Sequence, residues 1–518
     1  MDGNQFPMAD SQSQDETSLE DPALGEKSME DTEPDKKSIE EPEPGENTSQ
    51  DPESEVKRTD KEQEVTLEDH EDPQKWPHLK KSYYTLGVGL ASFSVTVAAS
   101  MITPGTPEIE TKFHVGETPA ILTLIVYVLG LALGPVIASP ISESLGRAAI
   151  YRITPPIYML LTMGVGFVDS FGGLLVLRFL AGTAGSPPIA MGAGTIADMY
   201  APSRRAAPLC LLISTPFLGS GLGPVIGGFA AYYKGYRWTQ WSTIFVAIAV
   251  YIYTFPMGET YRNALIKRKA ERLGIDTHEP PMKDMLVQLF HVTLVRPFKV
   301  PFLEPIVQVL TFYNAFTFSV LFTFFAAFPY VFGKVYGFNT WQSGLAFLGI
   351  GVGVVLAGIT GVLVDQYMYQ PRLRQAIAEG KPGLPPEYML FSAMLGAPAV
   401  PASLFWFGWT ARSSINWMSP IIAGGLFSWG SVTIFLSAAM YLIQSYGASY
   451  GASAMAANGI GRYLMSGAFP LFTIQMYETL GIGWATSLMA FVAVLLVPIP
   501  FVFFKFGPYF RRKSSMIQ

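Results

Sequence analysis

Twelve separate, mostly apolar stretches run through this chain from residue 83 onward, and they restrict its fold more than any other feature. A helix needs roughly 20 such residues to cross ~30 Å of hydrocarbon, and within a bilayer only helices and closed barrels satisfy every backbone hydrogen bond. The stretches are 83–103, 118–139, 148–168, 172–197, 207–231, 239–257, 303–332, 341–364, 389–409, 417–442, 456–476 and 482–505. They predict an all-α membrane protein with twelve transmembrane helices in two six-helix halves.

Acidic residues are concentrated in the opening segment, where 25 of the 41 Asp and Glu residues lie within the first 72 positions. The net charge of −6 therefore describes this segment and gives no indication of nucleic-acid binding. The segment is also rich in Pro and Ser and lacks apolar periodicity, so it cannot bury enough surface to offset its ordering entropy. We expect residues 1–75 to form a disordered acidic tail.

Basic residues orient the predicted spans. If the N-terminus is cytoplasmic, the internal segments carry 23 Lys and Arg residues, Arg462 counted among them, whereas the external loops carry five. Positive charge collects on the cytoplasmic side of membrane proteins, so both termini are expected there. The five external residues are Lys112, Lys234, Arg237, Lys334 and Arg412.

The longest polar segment between spans divides the chain into two halves. We predict an N-terminal six-helix half over 76–257, a cytoplasmic linker over 258–302, a C-terminal six-helix half over 303–508 and a C-terminal tail over 509–518. Within the linker, the sequence ETYRNALIKRKAERL is basic and helix-forming, which favours an amphipathic helix at the membrane face.

The fifth span contains the sequence PFLGSGLGPVIGG, from position 216 to 228. Gly219, Gly223 and Gly227 recur every four residues, so they share one face of a helix and allow a neighbouring helix to come close. Pro224 removes a backbone donor, leaves the carbonyl of Ser220 without its helical partner and permits a bend. We expect this helix to lie against a partner across the seam between the halves and to act as a hinge; a simple packing face is the alternative.

No pattern of residues suggests an enzyme, a metal centre or a cofactor site. Cys210 is the single cysteine, and the five histidines lie outside the apolar stretches. The sequence contains no HExxH, Walker loop or GxSxG motif.

The segment after the second span reads SPISESLGRAAIYR and resembles the cytoplasmic signature of the major facilitator superfamily. Ser142, Glu143, Gly146 and Arg147 match the signature, although two of its basic residues are missing here. The resemblance implies a charge latch in which Glu143 pairs with Arg147 or with a helix dipole. Simple anchoring by positive charge is the alternative.

The fourth span reads RFLAGTAGSPPIAMGAGTIADMY and resembles the fungal drug:proton antiporters of that superfamily. The resemblance implies a role for Arg178 in proton coupling. No Asp, Glu or His lies near the middle of any predicted span, so we expect a helix-end carboxylate such as Asp198, coupled to Arg178 or Arg147, to bind the proton. A charge inside a span costs about 2.5–3.5 kcal/mol, so Arg178 should face a cavity or a partner, unless it extends to the outer interface. In the fifth span, the antiporter signature makes Gly219, Gly223, Pro224, Gly227 and Gly228 candidates for gating.

In this family, spans 1, 4, 7 and 10 line the substrate cavity. That resemblance, together with the aromatic character of spans 7 and 10, selects six candidate substrate residues: Tyr313, Asn314, Phe316, Phe325, Trp429 and Tyr441. Aromatic side chains with a few amides and hydroxyls suit flat, mostly apolar ligands. The predicted substrates are amphipathic drugs, toxins or fungal metabolites, exported in exchange for protons.

Three other kinds of membrane protein fit the same pattern of spans. A proton-coupled nutrient importer, a polyamine transporter and a non-transporting membrane receptor would all have similar spans. For the exporter, we expect a monomer in the plasma membrane, with the vacuolar membrane as the alternative location.

Overall fold

The computed structural model describes residues 67–201, 204–273, 299–300, 303–381, 383–514 and 516, and these residues contain helices and no strands. The predicted tail over 1–66 lies outside them, as does most of the linker. The α-helices are α1 His78–Met101, α2 Thr106–Phe113, α3 Glu117–Leu145, α4 Arg147–Phe167, α5 Phe171–Gly185, α6 Pro187–Met199, α7 Ala206–Lys234, α8 Tyr236–Thr254, α9 Arg262–Arg272, α10 Pro305–Tyr336, α11 Thr340–Ala346, α12 Leu348–Val364, α13 Gln370–Ala378, α14 Phe391–Gly396, α15 Ala399–Thr410, α16 Met418–Ala468, α17 Pro470–Leu496 and α18 Pro498–Lys513.

Each of the twelve predicted spans coincides with one helix or with consecutive helices. The fourth span is divided into α5 and α6 at Ser186, because Pro187 and Pro188 follow and cannot continue the hydrogen-bond ladder. Within the described residues, nine helical segments are long and apolar enough to cross a membrane on their own. The third and sixth spans, α4 and α8, and the eleventh, at the junction of α16 and α17, are outside that group. The helices α4 and α8 carry arginine, tyrosine and threonine side chains.

Two glycines divide the longest helices of the second half. Gly447 in α16 and Gly481 in α17 have positive φ angles of 59° and 76°, which a residue with a side chain rarely adopts. After Gly447 the chain turns back. The turn brings Gly451 beside Ile443, so that a Cβ on Gly451 would lie 3.3 Å from the Ile443 carbonyl oxygen. These breaks separate the tenth span from the eleventh and the eleventh from the twelfth.

The linker helix predicted between the halves is α9, and it contacts the residues that precede α1. Lys269 in α9 donates a hydrogen bond of 2.7 Å to Glu71, and this contact lowers the pKa of the Glu71 carboxyl. Trp76 is buried close by. The end of the predicted tail, over residues 67–75, is therefore folded against the linker.

Buried aromatic side chains around α10 form the largest apolar core. Phe324 and Phe328 are fully buried, and their ring centres lie 4.9 Å apart. Both rings contact Phe407 in α15, and Phe324 also contacts Phe427 in α16, at 5.1–5.5 Å between ring centres. In the first half, α1 packs along α7 and α3 packs along α5. The helices of each half thus pack closely against one another. The two packed halves together surround a cavity.

Candidate functional site

A cavity of about 1280 Å³ lies between the two halves. It extends to the end of the bundle that carries α9, here termed the linker end. Aromatic side chains from both halves line it, namely Phe217, Phe318, Phe322, Phe435 and Tyr463. Ligand pockets commonly measure about 300–1,000 Å³, so this cavity has room for a large amphipathic molecule.

Close backbone contacts between α7 and the second half close the cavity toward the opposite end. A Cβ on Gly344 would lie 2.5 Å from the carbonyl oxygen of Pro224, and one on Gly228 would lie 3.1 Å from that of Thr340. The contact at Gly344 is too short for any side chain, and one on Gly228 would push the neighbouring backbone away by a few tenths of an ångström. The seam predicted at the fifth span is therefore present, and it is formed by Gly228 and the Pro224 carbonyl.

The three glycines at fourfold spacing contact a different partner from the one expected. A Cβ on Gly219, Gly223 or Gly227 would lie 2.1–2.8 Å from a backbone oxygen of α1. This face of α7 therefore packs within the first half, and the seam uses other positions of the helix. The fourfold spacing correctly indicates a close helix pair, but it does not identify the partner, because every face of α7 is rich in small residues.

Pro224 was predicted to leave the Ser220 carbonyl without its helical donor, and a side chain of α1 supplies a donor in its place. The Ser100 hydroxyl on α1 donates a hydrogen bond of 2.9 Å to the carbonyl oxygen of Ser220. That carbonyl is the one that Pro224 deprives of its helical donor. The hydroxyl thus satisfies the interrupted ladder and attaches α7 to α1 at the same point.

Arg178 is buried inside the first half, 1% exposed, and does not extend to an interface. Its guanidinium donates to the carbonyl oxygens of Ala98, Ala99 and Thr123 at 3.0–3.1 Å. Its Cζ also lies 4.2 Å from the centre of the Tyr127 ring. Among the described residues no carboxylate pairs with Arg178, so its hydrogen bonds join α5 to α1 and α3.

At the linker end, Arg147 and Asp198 are brought together as a partly buried ion pair. The Arg147 Nε donates to an Asp198 carboxylate oxygen at 2.5 Å, and both side chains are about 15% exposed. The backbone N–H groups of Arg147 and Ala148 donate to Glu259 at 3.0 and 3.2 Å. Glu259 therefore satisfies two of the unpaired N–H groups at the start of α4.

The predicted latch partner Glu143 lies on α3, and its side chain is outside the described part of the structure. Glu259, which the motif does not contain, contacts the same turn. It fits there because Gly146 has a φ of 89° and lacks a side chain; a Cβ on Gly146 would collide with the Glu259 carboxylate. The sequence offered one signal for Glu259, namely an acidic residue directly after the sixth span.

The six predicted substrate residues do not line the cavity. Phe325 stacks on Phe347 at 5.7 Å, and the Trp429 indole donates to Thr360. Tyr313, Asn314, Phe316 and Tyr441 are all buried within the second half. The cavity face of α10 instead carries Phe318 and Phe322, which are four residues apart. The helix rotation, which the sequence does not specify, determines this difference.

Arg462 in α16 lines the cavity, although its positive charge suggested a residue of an internal segment. It is 8% exposed, and its Cζ lies 4.5, 4.5 and 4.7 Å from the ring centres of Phe318, Phe435 and Tyr463. Its Nε is buried and has no hydrogen-bond partner among the described residues. Its position in the sequence was informative, because a charged residue inside a predicted apolar span, 456–476, is expected to face a cavity or a partner.

Comparison with known proteins agrees with this architecture. The chain is 36% identical to Polyamine transporter 4 of Saccharomyces cerevisiae, over 86% of this chain and 72% of that protein. It is also 36% identical to Efflux pump FUB11 of Gibberella moniliformis and to the major facilitator superfamily multidrug transporter mdrA of Aspergillus fumigatus. These matches cover 86% of this chain and 76% and 74% of the two relatives.

A solved structure of the proton:xylose symporter XylE shares the fold, with a TM-score of 0.60 at 14% identity, over 84% of this chain and 97% of that one. The sequence pattern of the Major Facilitator Superfamily matches residues 88–470, well over half of the chain. Its twelve spans, its central cavity and these matches lead to one conclusion: the chain is a multi-pass membrane transporter that belongs to the major facilitator superfamily.

Proposed function

We propose that this transporter exports amphipathic small molecules in exchange for protons by alternating access. The linker end then faces the cytoplasm and the opposite end faces outward, with both termini cytoplasmic. The protein works as a monomer, because one chain encloses the whole cavity. Its place in this proposal is the plasma membrane, across which export removes a substrate from the cell. A substrate enters the cavity from the linker end, and rocking of the halves about the α7 seam exposes it to the outside.

One observation carries this proposal. The cavity is large and lined by aromatic side chains, it reaches the linker end, and glycine contacts close it toward the opposite end. This arrangement is the one expected of a transporter loading from the linker end. The density of basic residues in the predicted internal segments supports a cytoplasmic linker end. Relatives named as efflux and multidrug transporters over most of the chain support export.

Asp198 is our candidate for the proton-binding carboxylate. It is largely buried at the linker end and is held by Arg147, so protonation would weaken the contact between α6 and the start of α4. Glu259 next to it would keep the turn at Gly146 charged and ordered. Arg178, with three carbonyl acceptors and no carboxylate among the described residues, acts as a structural link in this mechanism.

The test is accumulation of a fluorescent amphipathic dye in cells with and without the protein, each with and without a proton uncoupler. We expect less dye in cells that carry the protein, and we expect the uncoupler to remove the difference. Asp198→Asn should abolish uncoupler-sensitive export, whereas Asp169→Asn, an exposed carboxylate between α4 and α5, should not. Equal accumulation under all conditions, with the protein present in the membrane, would reject export.

Polyamine transport is the second candidate, favoured by the resemblance to Polyamine transporter 4. A polyamine carries several positive charges and needs carboxylates to bind it. Among the described residues that line the cavity there is no Asp or Glu. Competition of spermidine with dye export would favour this candidate, and its absence would favour the amphipathic substrate.

A further inference from the structure

Arg462 is a buried cation without the partners that such a group normally requires. Removing a guanidinium from water is costly unless hydrogen bonds or an opposite charge compensate. The three surrounding aromatic rings contribute about 0.5–2 kcal/mol each through cation–π attraction, but they accept no conventional hydrogen bond. The Nε–H of Arg462 has no acceptor in the described part of the chain, and no carboxylate there forms an ion pair with it. Its donors are therefore available to a molecule inside the cavity.

The other arginines that line the cavity are already satisfied. Arg511 donates to both oxygens of Glu387 at 2.8 and 3.0 Å, and Arg147 pairs with Asp198. Arg205 donates to two backbone carbonyl oxygens at 2.7 and 2.8 Å. Four arginines thus line the cavity, and only Arg462 is without such a partner among the described residues. The one cavity arginine without a carboxylate or carbonyl partner among the described residues is thus the one surrounded by aromatic rings.

We propose that Arg462 is the anchor of a binding subsite for aromatic carboxylates, so that this transporter prefers amphipathic substrates with one negative charge. This inference rests on the proposed function, because it assumes that the cavity is the substrate site. The planar guanidinium binds a carboxylate through two parallel hydrogen bonds. Phe318, Phe435 and Tyr463 provide apolar surface for the adjoining aromatic ring of the ligand.

Low polarity around the subsite increases its selectivity. A neutral ester of the same molecule would fill the aromatic surface but leave the guanidinium without an acceptor. An amine would also introduce a second positive charge close to the first. The acid should therefore bind best, the ester less well and the amine worst. This order differs from the one expected for a cavity that selects ligands by hydrophobicity alone, where the uncharged ester would bind best.

The experiment uses the full-length protein in lipid nanodiscs and three probes that share one aromatic group: 1-pyrenebutyrate, its methyl ester and 1-pyrenemethylamine. Binding is followed by pyrene fluorescence. For the unmodified protein, we expect at least tenfold tighter binding of the acid than of the ester. In Arg462→Gln, affinity for the acid should fall to that for the ester, while affinity for the ester stays within about twofold. Arg462→Lys, which retains the charge, should keep part of the preference.

The matched control is Arg412→Gln. Arg412 also lies against an aromatic ring, that of Trp409 at 5.2 Å, but it is exposed in the loop after α15. This variant should keep the preference for the acid. The proposal is overturned if the unmodified protein binds acid and ester equally, if the amine binds best, or if the preference survives in Arg462→Gln.

Failure of the export proposal gives a different result. Binding in nanodiscs requires no transport, so the preference for the acid can be present in a protein that exports nothing. Conversely, dye export without any preference for the acid would contradict the Arg462 subsite alone. Size-exclusion profiles of each variant confirm that a lost preference does not arise from unfolding.

Discussion

Arg178 in the first half and Arg462 in the second are both buried, and both have a guanidinium within 5 Å of aromatic ring centres. Their hydrogen bonds differ. Arg178 donates to three carbonyl oxygens on α1 and α3, two of them in the last turn of α1, where the helix leaves carbonyls unpaired. Arg462 has a buried donor without an acceptor among the described residues and faces the cavity. Arg178 therefore links helices of the first half, whereas Arg462 is available to bind a ligand in the cavity.

The comparison shows that burial alone does not identify a functional charge. A buried cation whose donors are all used contributes to stability, and its removal leaves polar groups on its neighbours unpaired. A buried cation with unused donors reduces stability, and it is retained where a ligand supplies the missing acceptor. The four predictions below test this distinction, in order of decreasing expected effect.

The largest effect is expected for stability when each arginine is replaced by glutamine. Arg178→Gln leaves two or three carbonyls without donors, each at a cost of about 1–3 kcal/mol, and should markedly lower the melting temperature. Arg462→Gln removes an unpaired buried charge and should leave the melting temperature unchanged or raise it. Thermal unfolding of both purified variants, followed by fluorescence-detected size exclusion, measures the difference. Equal destabilisation would remove the distinction between the two arginines.

A lysine at each position should have an intermediate effect. An ammonium group is a compact charge with three donors, and it cannot span carbonyls on two helices as a guanidinium does. Arg178→Lys should therefore leave at least one carbonyl unpaired, costing about 1–3 kcal/mol. Arg462→Lys should unfold at the temperature of the unmodified protein. If Arg178→Lys is as stable as the unmodified protein, the three hydrogen bonds are not what makes Arg178 structural.

Much of the fold could be predicted from the sequence, because the bilayer requires long apolar helices. The twelve spans coincide with helices, and the linker helix and the interrupted ladder at Pro224 were also predicted. The site could be predicted less well, because lining a cavity depends on how each helix is rotated. Phe316 and Phe318 are two residues apart on α10, and only Phe318 faces the cavity. Likewise, only Tyr463, the next residue in the chain, is visible beside Arg462 in the sequence, whereas Phe318 from α10 and Phe435 from before the break at Gly447 reach it only through the fold.

The aromatic rings around Arg462 should show a smaller, measurable coupling to it. In a double-mutant cycle of Phe435→Leu with Arg462→Gln, we expect a coupling free energy of about 0.5–2 kcal/mol. The reason is that Leu removes the ring that lies 4.5 Å from the guanidinium. Phe407→Leu is the control, since Phe407 is fully buried against Phe324 and Phe328 in the same half. Its coupling to Arg462 should be zero within error; a coupling as large as that of Phe435 would mean that the cycle reports general packing.

The smallest effect is expected for the exposed carboxylate Asp169, which pairs with a third arginine. Arg237 pairs with Asp169 at 2.5 Å, and Lys112 donates to the same carboxylate at 3.1 Å. The Lys112 hydrogen bond, together with both positive charges, lowers the pKa of Asp169. Because the folded pKa lies below the unfolded value of about 3.9, the stabilisation is present above that pH and is lost as the pH falls through the folded pKa.

Asp169→Asn should consequently lower the melting temperature slightly at pH 6, and the difference from the unmodified protein should begin to shrink near pH 3.9 and disappear as the pH falls through the lower, folded pKa of Asp169. Salt should reduce the effect, because the side chain of Asp169 is 78% exposed and water and ions screen the pair. Melting curves between pH 6 and 3, at low and high ionic strength, measure both trends. A loss as large as that of Arg178→Gln, or one that grows as the pH falls, would show that an exposed ion pair stabilises this bundle as much as the buried, fully hydrogen-bonded Arg178 does.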